Sequence, residues 1–328
     1  MKWSLAITAV TVLAFTTYAQ AAQRSVPDRD AQSYPSKPIR VMVPQAPGGS
    51  NDIMARYIGG QLGERLGRQV VVDNRAGAEG MIATDIVAKA NPDGYTILMA
   101  STAFTMNPAV VKKLPYDPVK DFDWVAMFGR APVIITVGQS LPVNTLQELI
   151  ALGKSKPNYF TMASAGGFMH FASAMFRSHA GFKAEIALYK GGAPALIDVI
   201  SGQAHLATAT AVTASPQIRS GRLKALAVSS AKRLATFPDV PTAAEAGLPS
   251  YDATIWWGWA TTAGTPPAIL NKLYTEIAAI LQAPETARRF ATESAEVEMH
   301  TPAEMRTMIP ADLAKWEKVA REAGMQKQ

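Results

Sequence analysis

Short runs of β-forming apolar residues alternate along this chain with longer stretches whose apolar positions recur every three or four residues. Ile39-Arg40-Val41-Met42-Val43 predicts a strand. The polar loop Pro44–Asp52 follows it, and then a helix carrying Ile53, Met54, Tyr57, Ile58, Leu62 and Leu66 on one face. Val70-Val71-Val72 predicts a second strand, Met81 to Ala90 a helix closed by the turn Asn91-Pro92-Asp93-Gly94, and Tyr95 to Met99 a third strand. A second block of the same style begins at Val133-Ile134-Ile135-Thr136-Val137. It continues with a helix from Thr145 to Lys154, a strand at Phe160–Ala163, a helix through Phe176, a strand at Ile186–Tyr189 and a helix from Ala193 to Ile200. Strands at Leu206–Ala209 and Leu223–Val228 complete it. After the proline-rich segment Phe237–Pro249, Ile255-Trp256-Trp257-Gly258-Trp259 predicts a crossing strand. Three helices close the chain, Pro267–Leu281, Pro284–Thr292 and Pro302–Ala323, each opened by a proline whose fixed φ suits a first turn. Strand–helix alternation of this kind is the mark of an α/β fold. The expected organisation is one lobe from 22–135, a second from 136–250, and a return to the first over 251–328.

The first residues change the picture of where the protein works. Lys2 is followed by an uncharged apolar stretch from Trp3 to about Tyr18 and by Ala19-Gln20-Ala21, a small-x-small cleavage pattern. Residues 1–21 are therefore expected to be a secretory signal peptide, with a mature chain starting near Ala22 and a flexible polar lead-in over 22–36. No later segment approaches the 18 or so uninterrupted apolar residues of a membrane span, so the exported protein is expected to be soluble. The chain has no cysteine, which excludes thiol catalysis, cysteine-ligated metals and a lipid anchor at the cleavage site. The formal charge of +6 becomes +5 once Lys2 leaves, and the basic residues are scattered, which argues against nucleic acid as a partner.

Candidate chemistry concentrates in glycine turns between strands and helices. In Pro44–Asp52, Gly48 and Gly49 let a ligand approach the main chain, and Ser50, Asn51 or Asp52 can cap the helix. A helix N-terminus exposed in this way favours an anion; the same glycines would also serve a tight turn with no ligand. Ser164-Ala165-Gly166-Gly167 forms a second turn of this type and Lys190-Gly191-Gly192 a third. Two such turns, one per block, could grip an anionic ligand from opposite sides. Neither G-x-G-x-x-G nor a P-loop is present, so nucleotide readings fail. His170, His179, His205 and His300 lack metal spacing, and no G-x-S-x-G elbow exists. Ser164 with His170 is the arrangement an exported ester hydrolase would have to use. Trp257 is expected on the strand face opposite Trp256 and Trp259, where it could wall an apolar or aromatic ligand.

Several longer segments resemble the Bug family, the extracytoplasmic receptors of tripartite tricarboxylate transporters. They are Tyr34–Arg40, Pro44–Asp52, Val72–Gly77, Asn91–Tyr95, Leu114–Pro118, Tyr189–Gly192, Leu223–Val228 and Phe237–Leu248, in order over the whole mature chain. The resemblance implies a type II periplasmic-binding-protein fold, α/β, with two lobes joined by a crossover hinge. It implies no cofactor, no metal and no catalysis, and a monomer that captures a small carboxylate for membrane transporter subunits or for a sensor protein. Carried over position by position, it places Gln45, Ala46, Gly48, Gly49 and Asp52 in the first ligand loop. Ser164, Ala165, Gly166, Gly167, Phe168 and His170 fall in the second, and Ser101, Thr102, Thr208 and Trp257 along the cleft. Two departures bear on the ligand. Ala209 stands where many members carry an acid, which disfavours a ligand with an ammonium group, and the second loop is short and runs straight into Phe168. The expectation is a dicarboxylate without an amino group, with an aromatic acid such as terephthalate as the alternative.

Overall fold

The computed structural model describes residues 33–322 and 327. The expected signal peptide lies outside the described residues. The lead-in ends earlier than expected: Tyr34 is buried and donates its hydroxyl hydrogen to the Gly94 carbonyl at 2.7 Å, which ties the chain down before the first strand.

Strands β1 (Ile39–Val43), β2 (Val70–Asn74) and β3 (Thr96–Ser101) pair in parallel in the order β2-β1-β3. The connections are α1 (Ser50–Leu66), a single 3-10 turn at Ala78–Gly80 and α2 (Met81–Ala88). After α3 (Thr102–Val110) the chain runs through β4 (Phe122–Gly138), a 17-residue strand. The second block then follows: α4 (Leu146–Ser155), β5 (Phe160–Ser164), α5 (Phe168–Ala180), β6 (Ala184–Leu188), α6 (Gly192–Ser201), β7 (Leu206–Thr210), α7 (Ala211–Arg219) and β8 (Leu223–Val228). The chain returns through β9 (Thr254–Thr262) and ends in α8 (Pro267–Gln282), α9 (Pro284–Thr292) and α10 (Pro302–Glu322).

Two strands join the blocks. β9 lies antiparallel between β3 and the first part of β4, while the last residues of β4 pair with β7 and β8. The sheet order is β2-β1-β3-β9-β4-β7-β5-β6, with β8 also on β4. β4 therefore belongs to both halves and begins well before the predicted Val133. Pro132 and Gly129 disguise its first half, and two register shifts opposite β9 break its alternation.

Both faces of the first sheet are covered, as a largely parallel sheet requires. Val41, Val43, Ile97 and Met99 face a core shared with Met54, Ile58 and Leu62 of α1 and Leu273 and Ile277 of α8. Met42, Leu98 and Ala100 face the other side with Ala83, Val87 and Phe104, closed by Met305 and Ile309 of α10. Trp257 and Trp259 lie together in the first core, and Trp256 lies in the second against Trp124. This corrects the expected placement. A strand repeats every two residues, so Trp256 is the odd one out.

Candidate functional site

Three strand-to-helix turns converge between the halves. In the first, Gly48 has φ +80° and its N–H donates to the Asp52 carboxylate at 2.9 Å. Asp52 also receives Arg56 Nε at 3.0 Å. Burial would raise the Asp52 carboxyl, but the Arg56 and Gly48 bonds outweigh it and hold it below its ordinary range. The carboxylate thus braces its own loop. Gly49 is the residue before α1, Gly167 the residue before α5 and Gly191 the residue before α6, and none of these helices has a side-chain cap. Two other helices do carry side-chain caps, the reciprocal capping box of Thr145 and Glu148 on α4 and Thr210 on α7, while α2, α3, α8 and α9 also lack one. The three uncapped ends bring N–H donors and the positive ends of helix dipoles to one region.

The first turn meets the third. Ala46 N–H donates to the Lys190 carbonyl at 2.9 Å, and a Cβ on Gly49 would lie 3.7 Å from the Gly192 nitrogen and 3.2 Å from Gln45 Oε1. The second turn faces the Ala78–Gly80 segment, where the Glu79 carboxylate accepts the N–H of Gly167. Between these contacts lies a cavity of about 220 Å³. Gln45, Ser101, Ala165, Gly166 and Gly167 line it, as do Asn51, Glu79, Tyr189 and Lys190. A narrow second space of about 10 Å³ shares Gln45 and Ala165 with it and adds Thr208.

The remaining predicted residues sit behind these surfaces. Thr102 Oγ1 accepts the Trp256 N–H at 3.0 Å and so fixes the edge of β9. Phe168 is buried with its ring 5.5 Å from that of Trp316 on α10. Trp257 is fully buried and donates its indole N–H to Asn51 Oδ1 at 2.9 Å. Neither ring lines the cavity, which corrects the expected aromatic wall. Trp257 instead orients Asn51, whose amide nitrogen faces Ser101 Oγ at 3.4 Å. Ser164 Oγ is buried and makes no hydrogen bond to His170 or any other described residue, so the two do not form a nucleophile pair. Burial holds the His170 ring below its ordinary pKa despite the opposing pull of Glu79. Asn51, Tyr189 and Lys190 line the cavity from within or beside the first and third glycine turns, and their spacing alone does not mark them as site residues. Glu79 carried no signal beyond lying between Gly77 and Gly80.

Two α/β halves threaded by shared strands, with uncapped helix ends turned onto a cavity between them, define a two-lobed solute-binding protein of the type II periplasmic kind. The chain belongs to the tripartite tricarboxylate transporter family receptors (TctC), whose sequence model matches residues 54–325. It is 35% identical over 298 residues to protein BugT of Bordetella pertussis, covering 90% of this chain and 91% of that one. Among solved structures, it is similar to R. palustris Rpa4515 with adipate at TM-score 0.87 and 32% identity, covering 90% of this chain and all of that one. MatC from Rhodopseudomonas palustris with bound malate matches at TM-score 0.83 and 29% identity, covering 87% of this chain and 99% of that one. The family is one of solute receptors, and this chain is a solute-binding receptor of that type.

Proposed function

We propose that this receptor acts in the periplasm as a monomer, after loss of residues 1–21, and closes on a small aliphatic dicarboxylate that it passes to membrane transporter subunits. The moving bodies in this reading are residues 22–135 with 251–328, and residues 136–250. The observation that carries it is one cavity of about 220 Å³ bordered by the uncapped N-termini of α1, at Asn51, and α5, at Gly167, with Lys190 of the third turn beside them. A buried carboxylate needs several donors at once, because an unpaired charge in a dry cleft is far too costly. Main-chain N–H groups of the Gly49 and Gly167 turns supply them without a cationic side chain, and Gln45, Asn51 and Ser101 offer further polar contacts.

Adipate and malate, named in the two solved relatives, are both aliphatic dicarboxylates. With Phe168 and Trp257 withdrawn into the core, Tyr189 is the aromatic residue lining the cavity, which favours an aliphatic chain over an aromatic acid. A thermal-shift and calorimetry panel of the mature chain tests this with adipate, malate, terephthalate and aspartate. Adipate or malate is expected to bind intact and to stabilise the fold by about 2.7 kcal/mol at a hundredfold excess over Kd. Tight binding of terephthalate or aspartate alone, or turnover of the ligand, would overturn the reading.

A further inference from the structure

Glu79 is the acid lining the cavity, and its position is built rather than incidental. Gly77, Ala78, Glu79 and Gly80 all have positive φ, at 127°, 46°, 53° and 88°. For Ala78 and Glu79 this is a region that L-residues disfavour and that persists only where the surroundings impose it. The surroundings here are specific. Asn107 Nδ2 on α3 donates to the Glu79 carbonyl at 3.0 Å, and Thr84 Oγ1 on α2 donates to the Gly80 carbonyl at 3.0 Å. Gly80 lies so close to Pro44 that a Cβ would come within 2.9 Å of it. Held in this way by elements of the first half, Glu79 extends its carboxylate into the second half and takes the N–H of Gly167. A Cβ on Gly166 would lie only 3.2 Å from the same oxygen, so the turn accepts the carboxylate closely because it carries no side chain there.

We propose that Glu79 is a tethered carboxylate that occupies the second glycine turn across the cleft when no solute is bound, and that a solute carboxylate binds that turn by displacing it. The inference rests on the proposed function above, because it needs a carboxylate solute at the Gly167 turn. Two carboxylates cannot share one N–H donor without close like-charge repulsion. Binding therefore includes breaking the internal contact. Glu79 would then lower the affinity for every carboxylate and set a threshold that only solutes with further contacts along the cavity exceed.

The test compares the mature wild-type chain with Glu79→Gln and Glu79→Gly. Glycine accepts the positive φ of this position, so the second variant keeps the turn and guards against misfolding. Two readouts are needed. In 15N-labelled protein without solute, the Gly167 amide proton is expected to move markedly upfield in Glu79→Gly, because its charged acceptor has gone. In calorimetry, adipate and malate are expected to bind both variants about tenfold or more tightly than wild type, a difference of about 1.4 kcal/mol or more. An unmoved Gly167 amide would overturn the internal contact. Unchanged affinity would overturn the competition, and weakened affinity would show Glu79 to be a direct partner of the solute instead. If adipate and malate bound none of the three proteins, the competition would fall together with the proposed ligand class. A shifted Gly167 amide would then show the internal contact standing by itself.

Discussion

At the scale of single residues, the polar groups of the cleft divide into those spent on the protein and those left for a solute. Asp52, Thr102 and Trp257 bond to Gly48 and Arg56, to Trp256 and to Asn51 respectively, and so hold the walls in place. Sequence reasoning could not separate these roles, since a loop aspartate and a strand tryptophan look alike whether they face a ligand or a neighbour. The same limit hid Glu79, whose importance comes from backbone angles and a cross-cleft contact that no spacing rule encodes. His170 offers a test of burial. Its pKa is depressed below 6.5 by burial, with Arg177 adding to the effect and Glu79 opposing it, so the neutral ring is the folded form. The unfolded chain then binds the proton more readily. The contribution is fully present above pH 6.5 and is lost as pH falls through the lower folded value. Chemical denaturation from pH 7.5 to 5 should show a decline in stability that is shallower in His170→Gln, and an equal slope in both proteins would contradict the assignment.

At the scale of elements, strand and helix periodicity made most of the fold legible. The β1–α1–β2 and β5–α5–β6 units stand within a few residues of their expected limits, because each apolar face had only one period to follow. What was missed carries proline. α3 holds Pro108 and α7 holds Pro216 inside nine-residue helices, and Pro132 sits within β4. In each case packing against the sheets overrides the local signal. The sequence singles out three glycine turns as candidate anion sites; the structure sets the first against the third and the second against Glu79, contacts that no spacing rule encodes. Helix ends permit a paired test. Thr145→Ala removes the α4 capping box and should cost about 1 kcal/mol in urea unfolding while leaving dicarboxylate affinity unchanged. Gly49→Leu alters the uncapped end of α1 at a position with ordinary φ, −78°, so the chain should still fold. Its side chain would crowd Gln45 and Gly192, and adipate or malate affinity should fall about a hundredfold or more, roughly 2.7 kcal/mol. Unchanged affinity in Gly49→Leu would remove the first turn from the site.

For the whole molecule, the two halves are joined by β4 and β9 and meet again through Ala46 with Lys190, Glu79 with Gly167, and Phe168 with Trp316. A solute that contacts both halves stabilises the closed arrangement only by its excess affinity for that arrangement. In the proposed function this excess comes from main-chain amides of the glycine turns, facing an acid group on the solute. A crystal structure of the mature chain grown with adipate, or with malate if that binds more tightly, measures it directly. A solute carboxylate is expected within hydrogen-bond distance of the main-chain nitrogens that open α1 and α5. A solute whose acid groups rest on side chains elsewhere in the cleft, with both turns untouched, would contradict it.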